Sequence, residues 1–206
     1  IDPATVGRVM HGTTVATNTV LTGSGALVGL ITTKGFKQVL QIARSYVPGG
    51  LGGWVIFNKS DPLAPLELTI EANERMSALG EVVEPLDVRA MADDIATLKG
   101  SGVEALTISL VNAYANGAHE QQIRGIAERV LPGIPVSISS EVIPEMYEYE
   151  RAETTVVNSY IRPVVSTYIE NLEAELDRRM NGVQLHILRS DGGLASADAA
   201  KAAAEA

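Results

Sequence analysis

The 206-residue sequence contains no cysteine, which excludes a thiol nucleophile, a disulfide framework and a cysteine metal site. Basic residues are also scarce: 16 Lys and Arg stand against 25 Asp and Glu, a formal net charge of −9. A nucleic-acid partner needs a basic stripe, and no Lys/Arg cluster occurs, so no nucleic acid is expected. Between Arg8 and Lys34 there is no charged side chain at all. That length raises a membrane helix, but Thr, Ser, Asn and Gly fill much of it, so it reads as a helix followed by a strand, with no membrane span. No signal-peptide pattern is present, and a cytoplasmic location is the expectation. The sequence opens at Ile1 and closes in the Ala-rich stretch 199–206, so both ends read as cut from a longer chain.

What is present suits a buried core. With 46% hydrophobic and 20% charged residues, the chain is long enough for one large domain or two small ones. Short apolar runs at 6–10, 26–32, 103–111, 135–139 and 183–188 read as buried strands. Between them, 15–21, 36–43, 86–99 and 119–131 have helical spacing, the last two followed by Gly-containing stops. Strand and helix in alternation predict an α/β fold, a mixed and mostly parallel sheet flanked by helices. Residues 1–44 and 86–150 are assigned to one α/β subdomain. The segment 45–85 breaks the rhythm and reads as an insertion, with a glycine loop at 49–53 and a hairpin pairing 68–70 with 81–83. Residues 151–206 are read as a long helix, a strand and a terminal helix. Val157, Ile161, Val164, Tyr168, Leu172 and Leu176 make the long helix's apolar stripe. Pro163 lies inside it, predicting either a kink or a fresh helix start there.

The stretch His11-Gly12-Thr13-Thr14-Val15-Ala16-Thr17-Asn18 carries the most chemistry. A strand runs into a glycine and two hydroxyls just before a helix, where free backbone N–H groups make a ready anion site. The same pattern also fits a threonine N-cap with His11 packed in the strand end. The carboxylates Glu141, Glu145, Glu148, Glu150 and Glu153 fit either a general base or Mg2+ site, or ion pairs and helix caps. His119 and His186 have no second ligand at zinc spacing and read as satisfied structural histidines. Trp54, the sole tryptophan, reads as an anchor for the glycine loop.

The run from His11 to Asn18, followed by Gly25-Ala26 and Leu30-Ile31-Thr32-Thr33-Lys34-Gly35-Phe36, resembles the hydantoinase A/5-oxoprolinase/acetone carboxylase β-subunit family. Further matches come in order: Glu74-Arg75-Met76, Tyr114-Ala115-Asn116, His119-Glu120, Ser139-Ser140-Glu141, Glu148-Tyr149-Glu150-Arg151, Asn158, Arg162-Pro163 and Ser190-Asp191-Gly192-Gly193-Leu194. The resemblance spans essentially the whole chain and leans toward the hydantoinase A (N-methylhydantoinase) branch through the loop 46–54.

It implies part of an actin-like ATPase domain of the sugar-kinase and actin type. The activity implied is ATP-dependent opening of a hydantoin or oxoproline ring. It further implies ATP and Mg2+ in the intact enzyme, none of them expected on this piece alone, and a hydantoinase B-type partner subunit. By the same resemblance His11, Thr13 and Thr14 are catalytic, Gly12, Asn18, Asp191, Gly192 and Gly193 bind phosphate or substrate, and no side chain is assigned to a metal. Two departures stand out. Thr22-Gly23-Ser24 replaces a charged pair, and Arg189-Ser190-Asp191 stands where the family carries Gln-Ser-Asn, so an amide donor has become an acid. Two alternatives remain: a subunit of an ATP-dependent ketone carboxylase, and an inactive scaffold or partner-binding piece.

Overall fold

The computed structural model describes residues 6–44, 60–180, 182–189 and 192–202. Contacts divide the chain into two compact units, Ile1–Ala26 with Tyr160–Ala206, and Leu27–Ser159. The glycine loop, Trp54, Ser190 and Asp191 lie outside the described residues.

In the first unit β1 (Arg8–His11) runs parallel to β8 (Gln184–Leu188), which pairs antiparallel with β9 (Leu194–Ser196). Alternation sends Leu185, Ile187 and Ala195 inward while Gln184, Leu188 and Leu194 stay exposed. Helix α1 (Val15–Thr22) follows β1 and stops at Gly23, whose φ of 66° is a left-handed cap that disfavours a side chain. Gly25 has a separate, steric requirement, because a Cβ there would stand 2.2 Å from the Tyr160 ring.

The second unit is built on four parallel strands in the order β3 (Thr69–Ala72), β2 (Val28–Thr33), β6 (Ala105–Ser109) and β7 (Val136–Ile138). Its centre is β2 (Val28–Thr33) and β6 (Ala105–Ser109), buried at every position, as expected of strands covered on both faces. Helices α3 (Val88–Ala96) and α4 (Ala118–Val130) cover one face, packing Met91, Ile95, Ile123 and Ile126 against Ile31, Leu106 and Ile108. After the short helix α5 (Ser139–Val142) comes the long helix α6 (Glu148–Arg179), and the other face is polar where it meets α6. There Thr107 Oγ1 donates to Ser159 Oγ at 2.6 Å, and Asn158 Nδ2 donates to Ser137 Oγ, on β7 (Val136–Ile138), at 3.0 Å.

Three sequence expectations are corrected. The hairpin exists, but it pairs β4 (Arg75–Met76) with β5 (Val82–Glu84), whereas β3 (Thr69–Ala72) lies parallel to β2. Residues 69–72 therefore belong to the main sheet and not to an insertion over 45–85, because Thr69 and Ala72 find burial there while all of β5 is exposed. The helix expected over 36–43 shrinks to α2 (Val39–Ile42): a turn donates Phe36 N to the Thr33 carbonyl at 3.0 Å before it, and Ala43 at φ 52° ends it. Pro163 starts no new helix, since α6 is continuous from Glu148. Among the described residues no helix is long and apolar enough to cross a membrane.

Candidate functional site

The segment His11–Thr14 occupies the carboxyl end of β1, and the strand order makes this a shared end. His11 is in register with Ile187, and Gly12 lies against the Leu188 side chain, which a Cβ would meet at 3.6 Å. Just beyond Leu188 the chain turns: Gly192 N donates to the Arg189 carbonyl at 3.0 Å and Arg189 N to the Gly193 carbonyl at 2.8 Å, with Gly192 at φ 84°. That φ is the glycine-favouring region, so this position resists a side chain. Two sequence motifs 178 residues apart (11 to 189) thus leave neighbouring parallel strands at the same edge, where ligands gather in open α/β sheets.

Helix α1 opens toward this edge. Thr14 is its N-cap residue but makes no side-chain cap bond, and the first turn carries no acidic residue. Thr13 Oγ1 accepts from Val15 N at 3.3 Å, while Thr14 Oγ1 is held by Asn18 Nδ2 at 3.3 Å, so Asn18 orients the N-cap hydroxyl. Gly12, Thr13, Thr14 and Asn18 are exposed. The end of a helix macrodipole with free N–H groups and no competing carboxylate favours an anion. His11 is half-buried, its Nε2 2.7 Å from the Tyr168 hydroxyl of α6, with the two rings tilted by 31° at a 5.8 Å centroid separation. That contact fixes the imidazole and leaves Nδ1 for a ligand. The structure brings His11, Gly12, Thr13, Thr14 and Asn18 together and sets Gly192 and Gly193 beyond the adjoining strand; Asp191 lies outside the described residues.

A second polar constellation, in the other unit, is turned inward. Thr33 Oγ1 accepts from Val111 N at 2.9 Å and donates to the Glu74 carboxylate, whose other oxygen meets His119 Nδ1 at 2.7 Å. Glu120 accepts from Leu110 N at 2.9 Å, Ser139 Oγ at 2.6 Å and Ser140 N at 2.8 Å. Burial pushes the Glu120 carboxyl above its ordinary value, and these donors only partly oppose it. Arg151 is 1% exposed and donates to Ser139 Oγ, to the Glu145 and Leu110 carbonyls and to Glu148. Glu148 also accepts from Asn112 N at 3.1 Å. Burial raises its carboxyl, but the Asn112 N–H and the Arg151 guanidinium outweigh that and leave it below the usual range.

Three of the five clustered carboxylates are ion-paired: Glu141 with Arg124, while also accepting from Gln121 Nε2, Glu148 with Arg151, and Glu150 with Arg44. Among the described residues no three His, Cys, Asp or Glu side chains are grouped to hold a metal. His119 is satisfied by Glu74, a partner 45 residues away, but His186 corrects the expectation for its kind: its Nδ1 is buried with no partner among the described residues. Sequence reasoning missed Glu120 and Arg151 as network centres. A signal existed for the first, since Glu120 shares the 120, 123, 127 helical face with buried Ile123 and Ala127.

A family model described as the hydantoinase/oxoprolinase N-terminal region matches residues 1–131, and one for hydantoinase/oxoprolinase matches residues 151–206. The chain belongs to the hydantoinase/oxoprolinase family. Among its relatives, the caprolactamase subunit alpha of Pseudomonas jessenii is 32% identical, over 90% of this chain and 27% of its own length. The acetophenone carboxylase gamma subunit of Aromatoleum aromaticum is 31% identical, over 75% of this chain and 22% of its own. The crystal structure of the ATP-dependent caprolactamase from Pseudomonas jessenii superposes with a TM-score of 0.85 at 32% identity, covering 95% of this chain and 28% of that one. The chain therefore spans about a quarter of the length of these caprolactamase and carboxylase relatives.

Proposed function

We propose that this chain is part of an ATP-dependent enzyme that opens a cyclic amide of the hydantoin, oxoproline or lactam type. The observation carrying this reading is that His11–Thr14 and the turn after Arg189 leave adjacent parallel strands at one edge, where the N-cap Thr14 of α1 makes no side-chain cap bond. Within the reading, the α1 N–H groups with Gly12, Thr13, Thr14 and Asn18 hold phosphate, and Gly192 and Gly193 let the opposing backbone approach it. Asp191 is assigned a phosphate- or substrate-binding role on the family resemblance alone. ATP, when bound, supplies the phosphoryl group that makes a poorly electrophilic amide carbonyl open to attack by water. His11, braced through Nε2 by Tyr168, holds or delivers a proton at Nδ1. Mg2+ is assigned to the intact enzyme together with ATP, with no described side chain named as its ligand.

The relatives' names as subunits favour a separately encoded partner, which we assign to the hydantoinase B type. We assign the enzyme to the cytoplasm on the family resemblance alone. The acetophenone carboxylase relative supports one second reading, a ketone carboxylase, which bicarbonate dependence with ketone substrates separates from ring opening. The test is ATP-dependent hydantoin, lactam and 5-oxoproline hydrolysis by the full-length protein with its partner. His11→Ala, Thr13→Ala and Thr14→Ala are expected to lower kcat by roughly 10²-fold, the cost of removing one donor to developing charge. Unchanged rates in all three would overturn the site.

A further inference from the structure

The β4–β5 hairpin of the second unit is held firmly on its inner side. Ser77 N donates to the Glu81 carbonyl at 2.8 Å and Gly80 N to the Ser77 carbonyl at 3.0 Å, closing the turn. Ser77 Oγ accepts from Leu79 N at 3.2 Å and from Glu81 N at 3.1 Å. From the turn after β6, Asn112 Nδ2 donates to the Met76 carbonyl and Asn116 Nδ2 to the Gly80 carbonyl, each at 2.8 Å. Gly80, at φ 79°, lies so close to that turn that a Cβ would meet the Ala115 carbonyl oxygen at 3.1 Å. Met76 is buried, which anchors β4 to the unit.

Its outer side has no such cover. Leu79 is 86% exposed, Val82 52% and Val83 65%, and while an isolated exposed apolar side chain is ordinary, a contiguous and fixed group marks a contact surface. β5 is also the edge of its two-stranded sheet, and its outward side pairs with no strand among the described residues. The unpaired groups of such an edge are a template for a further strand. Because the hairpin is already ordered, docking there loses little conformational entropy. The acids choose the partner: Glu81 and Glu84, both exposed, bracket Val82 and Val83. Arg75 stands opposite Glu84 but turns its guanidinium to the Phe36 ring and the Lys34 carbonyl. A second copy of this chain is disfavoured, since an antiparallel β5–β5 pair centred on the valines sets Glu81 against Glu84 twice, and like charges directly opposite repel. A strand with Lys or Arg at those two positions turns the repulsion into attraction.

We propose that the outer edge of β5 is where the separately encoded partner subunit docks. The partner adds an extended strand whose apolar side chains cover Leu79, Val82 and Val83 and whose flanking Lys or Arg meet Glu81 and Glu84. The relatives named as subunits, caprolactamase alpha and acetophenone carboxylase gamma, support the existence of such a second chain. The proposal rests on the partner-subunit reading above and adds the surface it uses and the charge it carries.

The test mixes the full-length protein with its hydantoinase B-type subunit and reads Kd by sedimentation and amide exchange across Val82–Glu84 by mass spectrometry. The double variant Glu81→Lys, Glu84→Lys is expected to weaken the complex roughly tenfold or more at low salt, an effect that shrinks as salt rises. Val83→Lys places an edge-blocking charge on the strand and is expected to weaken it at least as much. These side chains are exposed, so the denaturation midpoint of the full-length protein alone should not move. Protection of the β5 amides should appear only when the subunit is added. A full-length protein that binds no such subunit removes the partner reading and this proposal with it. Binding with Kd unchanged in both variants overturns the docking surface alone. Protection of β5 without the subunit, or a lowered midpoint in the isolated variants, also overturns it, because the rest of the same polypeptide would then cover the hairpin. Self-association that is lost in Val83→Lys while subunit binding is kept overturns it in favour of a second copy.

Discussion

The two units treat their polar side chains in opposite ways. In the second, Thr33, Glu74, His119, Glu120, Ser139 and Arg151 are buried and bonded to one another or to loop backbone. In the first, Gly12, Thr13, Thr14 and Asn18 are exposed, and the N-cap Thr14 of α1 makes no side-chain cap bond. A buried polar group without a partner is costly, so an inward network is maintained for stability; outward donors carry no such cost and are free to meet a ligand. The contrast teaches that hydrogen-bond richness does not by itself mark a reacting site. The sparser of the two constellations is the better candidate.

The sharpest way to break that comparison is to remove Arg151. Its guanidinium serves Ser139, two carbonyls and Glu148 from a fully buried position, so Arg151→Ala is expected to cost about 3–5 kcal/mol in chemical denaturation, leaving buried acceptors unmatched. Arg151→Lys cannot replace a planar five-donor fork and should recover little of this. A loss under about 1 kcal/mol would mean the network is not structural. The same denaturation applied to Thr14→Ala should show a change within about 0.5 kcal/mol, whatever happens to its turnover. A matching loss of stability in Thr14→Ala would erase the distinction between the units.

The contrast also explains what could be read in advance. The charge-free, largely apolar runs of β2 and β6 announced buried parallel strands, and the glycine and threonines before α1 announced an exposed helix start. Thr69–Ala72 was harder, because Thr-Ile-Glu-Ala has neither a continuous apolar run nor strict alternation, and its burial depends on β2 lying beside it. Arg151 is invisible for a related reason: its acceptor on Leu110 is 41 positions away, and nothing local distinguishes it from a solvated helix arginine. Tyr168 reaches His11 across 157 positions, so the motif was legible while its brace was not. Local chemistry shows in sequence; long-range satisfaction does not.

A smaller effect sharpens the comparison through pH. The folded Glu148 carboxyl lies below its ordinary value, so it binds protons more weakly when folded than when unfolded. Its stabilisation is therefore present above the unfolded carboxylate range and is lost as pH falls through the lowered folded value. Glu148→Gln is expected to be less stable than wild type near neutrality by roughly 1–3 kcal/mol, the worth of hydrogen bonds to a charged group, with the gap closing on acidification. Denaturation midpoints of both proteins across that range test it; a gap independent of pH would show that the carboxylate's charge is irrelevant.

The smallest effect separates buried from exposed ion pairs within the second unit itself. Burial raises the Glu141 carboxyl, but Arg124 and Gln121 outweigh it and lower it overall, the same direction as Glu148. Its side chain, however, is 52% exposed, and that of Arg124 24%. Water and salt screen such a pair, so Glu141→Gln is expected to cost about 0.2–1 kcal/mol, shrinking as ionic strength rises. Arg151→Ala should keep most of its cost under the same salt, because its contacts are shielded from solvent. If both variants responded alike, burial would not be what distinguishes the inward network, and the outward placement of His11–Thr14 would lose its force as a sign of function.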